Sequence, residues 1–413
     1  MTPVLGSVVG STGAVSRSAD GRRWVSVGSS AHPDARRAGE AAALRALAGP
    51  DPRLLMVFCS LSRDPEMVLA GVAAAGQGVP VIGCSAREMI TPAGPSADGV
   101  VVAGLGGSGL AVSTGVGFGV ADAPREAGAA AASRVADDRA SRPHEVLLLL
   151  TDGLAAHQEE VLAGVYRVVG ASVPLVGGSS TPDWSTGRTF QLYGDKVLTD
   201  AVVAAAIASD GPFGIGLGHG WCKVGEPMLV TRSAGRDVYT LDDQPALPAY
   251  LQRLGAPPET YTDPAAFKMF SRTRPIGIRR RSGEEVRTVN STAGFHEGWL
   301  RAGAEVPEGG VVWVMEGEED SVVDAAGDAC RTAAEALDGR RPLGFLAFDC
   351  VSRASMLGEA GTRAEVDRMT AVGRLVGQAD GVPVAGLYTA GEIARTSGIS
   401  GFHNQTVVIL AVG

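Results

Sequence analysis

The stretch LLMVFC at Leu54–Cys59 is a short apolar run, which predicts a β-strand buried on both faces. Asp64 can cap the helix that follows, with Pro65 at its first position, where a missing N–H costs nothing. VPVIG at Val79–Gly83 predicts a second strand. The segment is therefore a strand–helix–strand unit of an α/β protein.

The same unit recurs twice further along the chain. The second copy has strands at Val146–Gly153 (VLLLLTDG) and Val173–Ser180 (VPLVGGSS). The third has them at Leu343–Arg353 (LGFLAFDCVSR) and Val382–Thr389 (VPVAGLYT). We predict an α/β (mixed α+β) chain of internally repeated strand–helix–strand–hairpin units, forming layered mixed sheets flanked by helices.

Alternating glycines follow the first two units. They occupy Gly115, Gly117 and Gly119 in one segment and every second position of Gly214–Gly220 in the other. Since side chains alternate across a strand, one face of each segment is bare backbone. Such a face allows close approach by another sheet, a helix or a ligand.

The units predict the domain organisation. Residues 1–20 form a leader strand or flexible tail, residues 21–235 a domain with two units, and residues 236–413 a domain with the third. The boundary, near 225–245, opens a proline-containing stretch up to about residue 311 that does not fit the repeat.

Composition excludes several classes of protein. The net charge of −9 over 413 residues argues against a nucleic-acid partner, which would need a basic face. The start shows no signal peptide and no apolar run approaches the roughly 20 residues of a membrane span, so we expect a cytoplasmic protein without a membrane partner. Five scattered cysteines without a Cys-x-x-Cys pair, and histidines without ligand spacing, predict neither a disulfide framework nor a metal site.

Polar residues gather where the strands of the first and third units end, which is where ligands bind in α/β sheets. The first unit contributes Cys59, Ser60, Arg63, Cys84, Ser85 and Glu88. The third contributes Cys350, Arg353, Tyr388, Thr389 and Glu392. Arginine suits a carboxylate or phosphate and glutamate an ammonium group, so a pocket holding both would suit an amino acid or a similar small anionic or zwitterionic metabolite.

Other interpretations of these residues stay open. In the first and third units, the Ser-Arg pair that follows the strand can simply cap the next helix and form a local ion pair. A cysteine could be a nucleophile, although no base lies near one in sequence and buried cysteines usually pack as small hydrophobes. His403, in a polar turn before the last strand, is more simply structural than a metal ligand.

Six motifs together resemble a known family. They are VFCSLSRD (57–64), VPVIGCSAREMITPAG (79–94), GHGW (218–221) leading into EPMLVT (226–231), LGFLAFDCVSR (343–353), VPVAGLYTAGEIA (382–394) and GFHNQTVVIL (401–410). In this order the chain resembles the FIST family of sensory domains. One departure is Arg87, where the family pattern has glycine.

The resemblance implies a FIST N-like domain followed by a FIST C-like domain and a sensory role with a small-molecule ligand. It makes the residues named above, together with His403, candidates for the ligand cleft. Signalling would pass to a separate partner protein. We expect no cofactor, although some relatives are haem-binding nitric oxide sensors. A ligand sensor without catalysis, a haem sensor, and an enzyme using a cysteine or carboxylate in the cleft between repeats all remain open.

Overall fold

A computed structural model describes residues 13–137, 142–280, 283–377, 381–395 and 401–413. Within those ranges it has eight α-helices and 26 strands in four mixed sheets, which confirms the predicted fold class. Of the predicted leader, residues 1–12 lie outside the described ranges and Gly13–Arg17 is a strand.

The strands are β1 (Gly13–Arg17), β2 (Trp24–Ser30), β3 (Pro52–Ser60), β4 (Val81–Ala86), β5 (Met89–Thr91), β6 (Gly94–Ser96), β7 (Val100–Gly106), β8 (Leu110–Phe118), β9 (His144–Thr151), β10 (Leu175–Ser179), β11 (Gln191–Tyr193), β12 (Lys196–Leu198), β13 (Ala201–Ser209), β14 (Phe213–Gly218), β15 (Cys222–Ala234), β16 (Asp237–Leu241), β17 (Gln244–Pro245), β18 (Ile276–Arg280), β19 (Gly283–Arg287), β20 (Leu300–Arg301), β21 (Val311–Glu316), β22 (Gly344–Cys350), β23 (Val384–Thr389), β24 (Glu392–Arg395), β25 (Phe402–His403) and β26 (Val407–Val412).

The helices are α1 (Ala35–Ala46), α2 (Pro65–Ala75), α3 (Pro124–Asp137), α4 (Gln158–Val169), α5 (Ala246–Arg253), α6 (Pro264–Ser271), α7 (Glu319–Glu335) and α8 (Val351–Val376), with a 3-10 turn at Pro258–Tyr261. Asp64 caps α2 as predicted, since its side chain accepts a hydrogen bond from the Met67 amide with Pro65 in the first turn. α8 is broken at Gly358, whose φ is +64°.

Three of the sheets share one order of corresponding strands. The first sheet contains β2-β7-β3-β4-β11, the second β8-β13-β9-β10-β24 and the third β14-β26-β22-β23-β5. In each sheet the two strands of one unit pair in parallel, as β3 does with β4, β9 with β10 and β22 with β23. The last strand in each order comes from a different unit than the parallel pair does, so each unit contributes one strand to a neighbouring sheet.

The three sheets pack around a common core. Alternate residues of β3, β9 and β22, such as Phe58, Leu148 and Phe348, belong to one buried cluster. The opposite faces pack separately under helices, as Val57 does beneath α1 and α2. Strands that are apolar on both faces are therefore explained by a sheet neighbour on one side and a helix on the other.

The glycine-bearing faces lie against helices. A Cβ on Gly115 or Gly117 would overlap carbonyl oxygens of α3, and one on Gly214 or Gly216 would overlap carbonyl oxygens of α7. Of the three occupants that the sequence allowed for these faces, a helix is the one found. Helix and sheet approach more closely there than any side chain would permit.

The fourth sheet is an insertion between β14 and α7. Its order is β17-β16-β15-β21-β18-β19, with β20 paired to β16, and we call it the inserted sheet. The predicted boundary between residues 235 and 236 falls in the turn that joins β15 to β16, two paired strands. The two-domain division stays a prediction. In the described ranges, no helix is both long and apolar enough to cross a membrane.

Candidate functional site

The predicted site residues lie at the strand ends where the sequence places them, and most are deeply buried. Ser60 and Ser85 bind backbone: Ser60 donates to the Ala97 carbonyl (3.0 Å) and Ser85 accepts from the Phe190 amide (3.1 Å). The half-buried Glu88 has its carboxyl pKa raised by desolvation. Ser85 thus joins the first unit to the segment that follows the second, whereas Ser60 bonds within the first unit.

Arg63 is fully engaged in local contacts. Its Nε and Nη2 donate to the carboxylate of Asp98 at 2.7 and 2.6 Å, and its Nη1 donates to the carbonyls of His32 and Pro33, both at 2.8 Å. The Asp98 side chain is 60% exposed, whereas that of Arg63 is 9% exposed. Arg63 thus ties loops together at the sheet edge, as the local-pairing interpretation expects.

Arg353 lies in a buried polar cluster. Its Nε donates to Asp349 Oδ1 at 2.9 Å and its Nη2 donates to Glu365, so that one guanidinium faces two carboxyl groups. Backbone carbonyls of His219 and Val322 accept two further N–H groups at 3.0 and 2.9 Å. All three charged side chains have no solvent exposure.

The protonation of this cluster follows from burial. Desolvation, and then the charge of Asp349, raise the pKa of Glu365 well above its ordinary value. The Tyr388 hydroxyl donates to Glu365 at 3.3 Å, and burial raises its pKa too. Burial therefore favours the protonated form of Glu365, while the Arg353 guanidinium contacts both Glu365 and Asp349.

Glu392 is a further buried carboxyl. Thr389 and Thr406 donate hydroxyl hydrogen bonds to it, each at 2.8 Å, and the Thr406 amide donates at 3.2 Å. Burial outweighs these bonds and raises its pKa to about 8. Burial also lowers the pKa of His403 to about 4, so its ring is neutral. The side chains of both residues bond to other segments of the third unit, Glu392 to Thr389 and Thr406 and His403 to the Ala394 carbonyl.

The predicted cysteines are poorly placed for nucleophilic chemistry. Burial raises the pKa of Cys59 to about 12 and raises the pKa of Cys84 and Cys350. An activated nucleophile needs the opposite shift, because the thiolate is the reactive form. These thiols pack as small hydrophobes.

A cleft of about 660 Å³ lies between the second unit, the third unit and the inserted sheet. Gly153 and Ser179 line it where β9 and β10 end, and Cys350 lines it where β22 ends. Residues of the inserted sheet and of α6 form the opposite wall. The cleft thus sits at the carboxyl edge of parallel strands, the usual ligand position.

Five cationic side chains line the cleft, and its lining contains no Asp or Glu. They are Arg87, Arg236, Lys268, Arg272 and Arg301. Arg301 forms an ion pair with Asp237 at 2.7 Å, and Arg272 donates to the Ser355 carbonyl. Among the described residues, the other three cations have no ion-pair partner.

Two buried amide side chains in the same lining have unused acceptors. Gln158 is 6% exposed and Asn404 4% exposed. Within the described ranges, the side-chain oxygen of each lacks a hydrogen-bond partner. A buried polar atom is costly to leave unpaired, so these oxygens mark positions where a donor on a ligand would fit.

The structure brings only one predicted site residue, Cys350, into this cleft. Arg63 and Arg353 belong to separate clusters and neither lines it. Sequence reasoning missed its other cations, except that Arg87 was noticed as a departure from the family pattern. No local signal links the rest, because they come from separated segments that only the fold unites.

The lining does not fit a haem. Its histidine, His157, lies on an exposed turn with φ of +59°, and the walls are polar and cationic. A haem needs an axial ligand held over a broad apolar slot. In the described part of the chain, no group of three or more His, Cys, Asp or Glu is placed to hold a metal ion.

Two protein-family models together match most of the chain. A family model described as FIST N domain matches residues 53–244, and one described as FIST C domain matches residues 246–395. An uncharacterized protein of Methanocaldococcus jannaschii is 32% identical over 97 residues, which is 24% of this chain and 19% of that protein. The chain therefore matches about a fifth of that relative's length.

Two solved structures give only a faint likeness. A PurL from T. maritima complexed with ADP shares 12% identity at a TM-score of 0.22, with 96% of this chain and 73% of that chain covered. The phosphoribosylformylglycinamidine synthase II structure from Thermotoga maritima has the same identity and coverage at a TM-score of 0.21. Likeness at this level carries no functional argument.

Proposed function

The chain belongs to the FIST family, whose domains are sensory domains of signal transduction proteins, and on that premise we propose that it senses a small anionic or zwitterionic metabolite, such as an amino acid, without catalysis. The ligand binds in the cleft between the second unit, the third unit and the inserted sheet. This site is away from Arg63 and Arg353, each of which already donates to carboxyl groups and backbone carbonyls of the protein.

The charge of the cleft supports the proposal most strongly. Five cations and no acids line one cavity of a chain whose net charge is −9. Like charges held together are unfavourable unless something of opposite charge joins them. Arg236 and Lys268, unpaired among the described residues, are suited to bind a carboxylate or phosphate.

The unused oxygens of Gln158 and Asn404 add a second requirement. A ligand with an ammonium, amide or hydroxyl group beside its anion would satisfy them, as an amino acid does. The raised thiol pKa of Cys350 in the same lining argues against covalent chemistry there. We further propose a cytoplasmic protein that works without a cofactor and passes its signal to a separate partner protein.

Isothermal titration calorimetry with a panel of amino acids, hydroxy acids and phosphorylated metabolites tests the proposal. We expect at least one to bind wild-type protein, and binding to weaken about tenfold in Arg236→Gln and in Lys268→Gln. Lys196→Gln is the matched control, since it removes one exposed charge that is not part of the cleft lining. If no anion binds, or the control weakens binding equally, the proposal is wrong.

A further inference from the structure

An exposed tryptophan stands at the rim of the cleft. Trp184 lines it and is 62% exposed, although indole is among the most costly side chains to leave in water. No ring contact or hydrogen bond of its side chain is found among the described residues. The sequence around it, TPDWSTG, is a polar turn that gives no packing reason for a tryptophan.

The turn that carries Trp184 is internally braced. Asp183 accepts hydrogen bonds from the amide and hydroxyl of Ser185, at 2.9 and 2.6 Å, and from the Thr186 hydroxyl at 2.8 Å. Asp183 and Arg188 also form a β-bridge. The indole is therefore presented on a structured tip, which lowers the entropy lost when a ligand packs on it.

We infer that the ligand carries a planar ring next to its anionic group, and that Trp184 stacks on this ring while the cations of the cleft bind the anion. The inference rests on the proposed function and narrows its ligand class to ring-bearing anions. An aromatic side chain at a cationic site favours flat ligands, because ring stacking adds to ion pairing without requiring new charge. The ring could be that of an aromatic amino acid or of an aromatic phosphate.

Matched probes separate the ring from the anion. L-phenylalanine is compared with L-alanine, phenyl phosphate with inorganic phosphate, and benzoate with acetate, by calorimetry on the full chain. In at least one pair we expect the ring to improve affinity roughly tenfold. Trp184→Ala abolishes that advantage, and Trp184→Phe keeps most of it. Because Trp184 is exposed, both variants should unfold at the wild-type urea concentration.

The outcomes distinguish the two proposals. Equal binding of ring-bearing and ringless probes overturns the inference while the anion site stands. A ring preference that persists in Trp184→Ala overturns the role of Trp184. If no probe or metabolite binds the wild-type protein, both proposals fail.

Discussion

Replacing Arg353 by methionine tests whether this arginine holds the fold together. The change leaves Asp349 and Glu365 buried without their cation and removes a donor from the carbonyls of His219 and Val322. Removing one partner of a buried ion pair costs about 3–5 kcal/mol, and an unsatisfied buried carbonyl about 1–3 kcal/mol. We therefore expect a loss of about 5 kcal/mol of unfolding free energy, a large share of typical domain stability.

The loss should also depend on pH. Without Arg353, no cation offsets the cost of burying a charged carboxyl in the folded variant, whereas water stabilises both ionised carboxyls in the unfolded chain. Folding then takes up protons, so stability falls as pH rises, by about 1.4 kcal/mol per pH unit for each neutralised carboxyl. The defect should be larger at pH 8 than at pH 5.

Urea unfolding followed by circular dichroism at both pH values measures the effect. Arg63→Met is the matched control, because it breaks an ion pair to the exposed Asp98 and should cost only about 1 kcal/mol. An Arg353→Met protein that unfolds like wild type but no longer binds ligand would refute this reasoning and return Arg353 to the ligand site.

Four further predictions follow from other parts of the structure. Burial raises the pKa of Glu392 to about 8 in the folded protein, from about 4.5 in the unfolded chain. Its contribution to stability is therefore fully present below pH 4.5 and is lost as the pH rises to about 8. Glu392→Gln should remove this part of the decrease of unfolding free energy with pH, as measured by urea titrations. Iodoacetamide should modify only Cys222 in native protein and all five cysteines in denaturant, as counted by mass spectrometry. Gly216→Ala should cost about 1–3 kcal/mol in urea unfolding, because its Cβ would overlap the backbone of α7. Protein mixed with haemin should show no Soret band of a bound haem. A stable Soret band would contradict the conclusion that the cleft does not fit a haem.

The fold could be predicted from sequence because its determinants are local. Apolar runs such as Leu54–Cys59 and the Asp64–Pro65 start of α2 lie within a few residues of one another. The exchange of strands between sheets could not be predicted, since β5 and β24 are short and their partners are distant in sequence.

The site was harder to predict for a physical reason. Arg63 and Arg353 share a local motif, yet their roles depend on remote partners: Asp98 at the surface for one and Glu365 in the interior for the other. The cations of the cleft belong to separate loops, helices and strands. Trp184 did leave a signal, an isolated large aromatic among turn residues, which predicts an exposed tip.

A crystal structure of the protein with the tightest-binding anion from the calorimetric panel tests the central claim most directly. We predict ligand density in the cleft, with the anion within hydrogen-bond distance of Arg236 or Lys268 and a donor group near Asn404. Density beside Arg63 or Glu88 instead, with the cleft holding only water, would contradict the account.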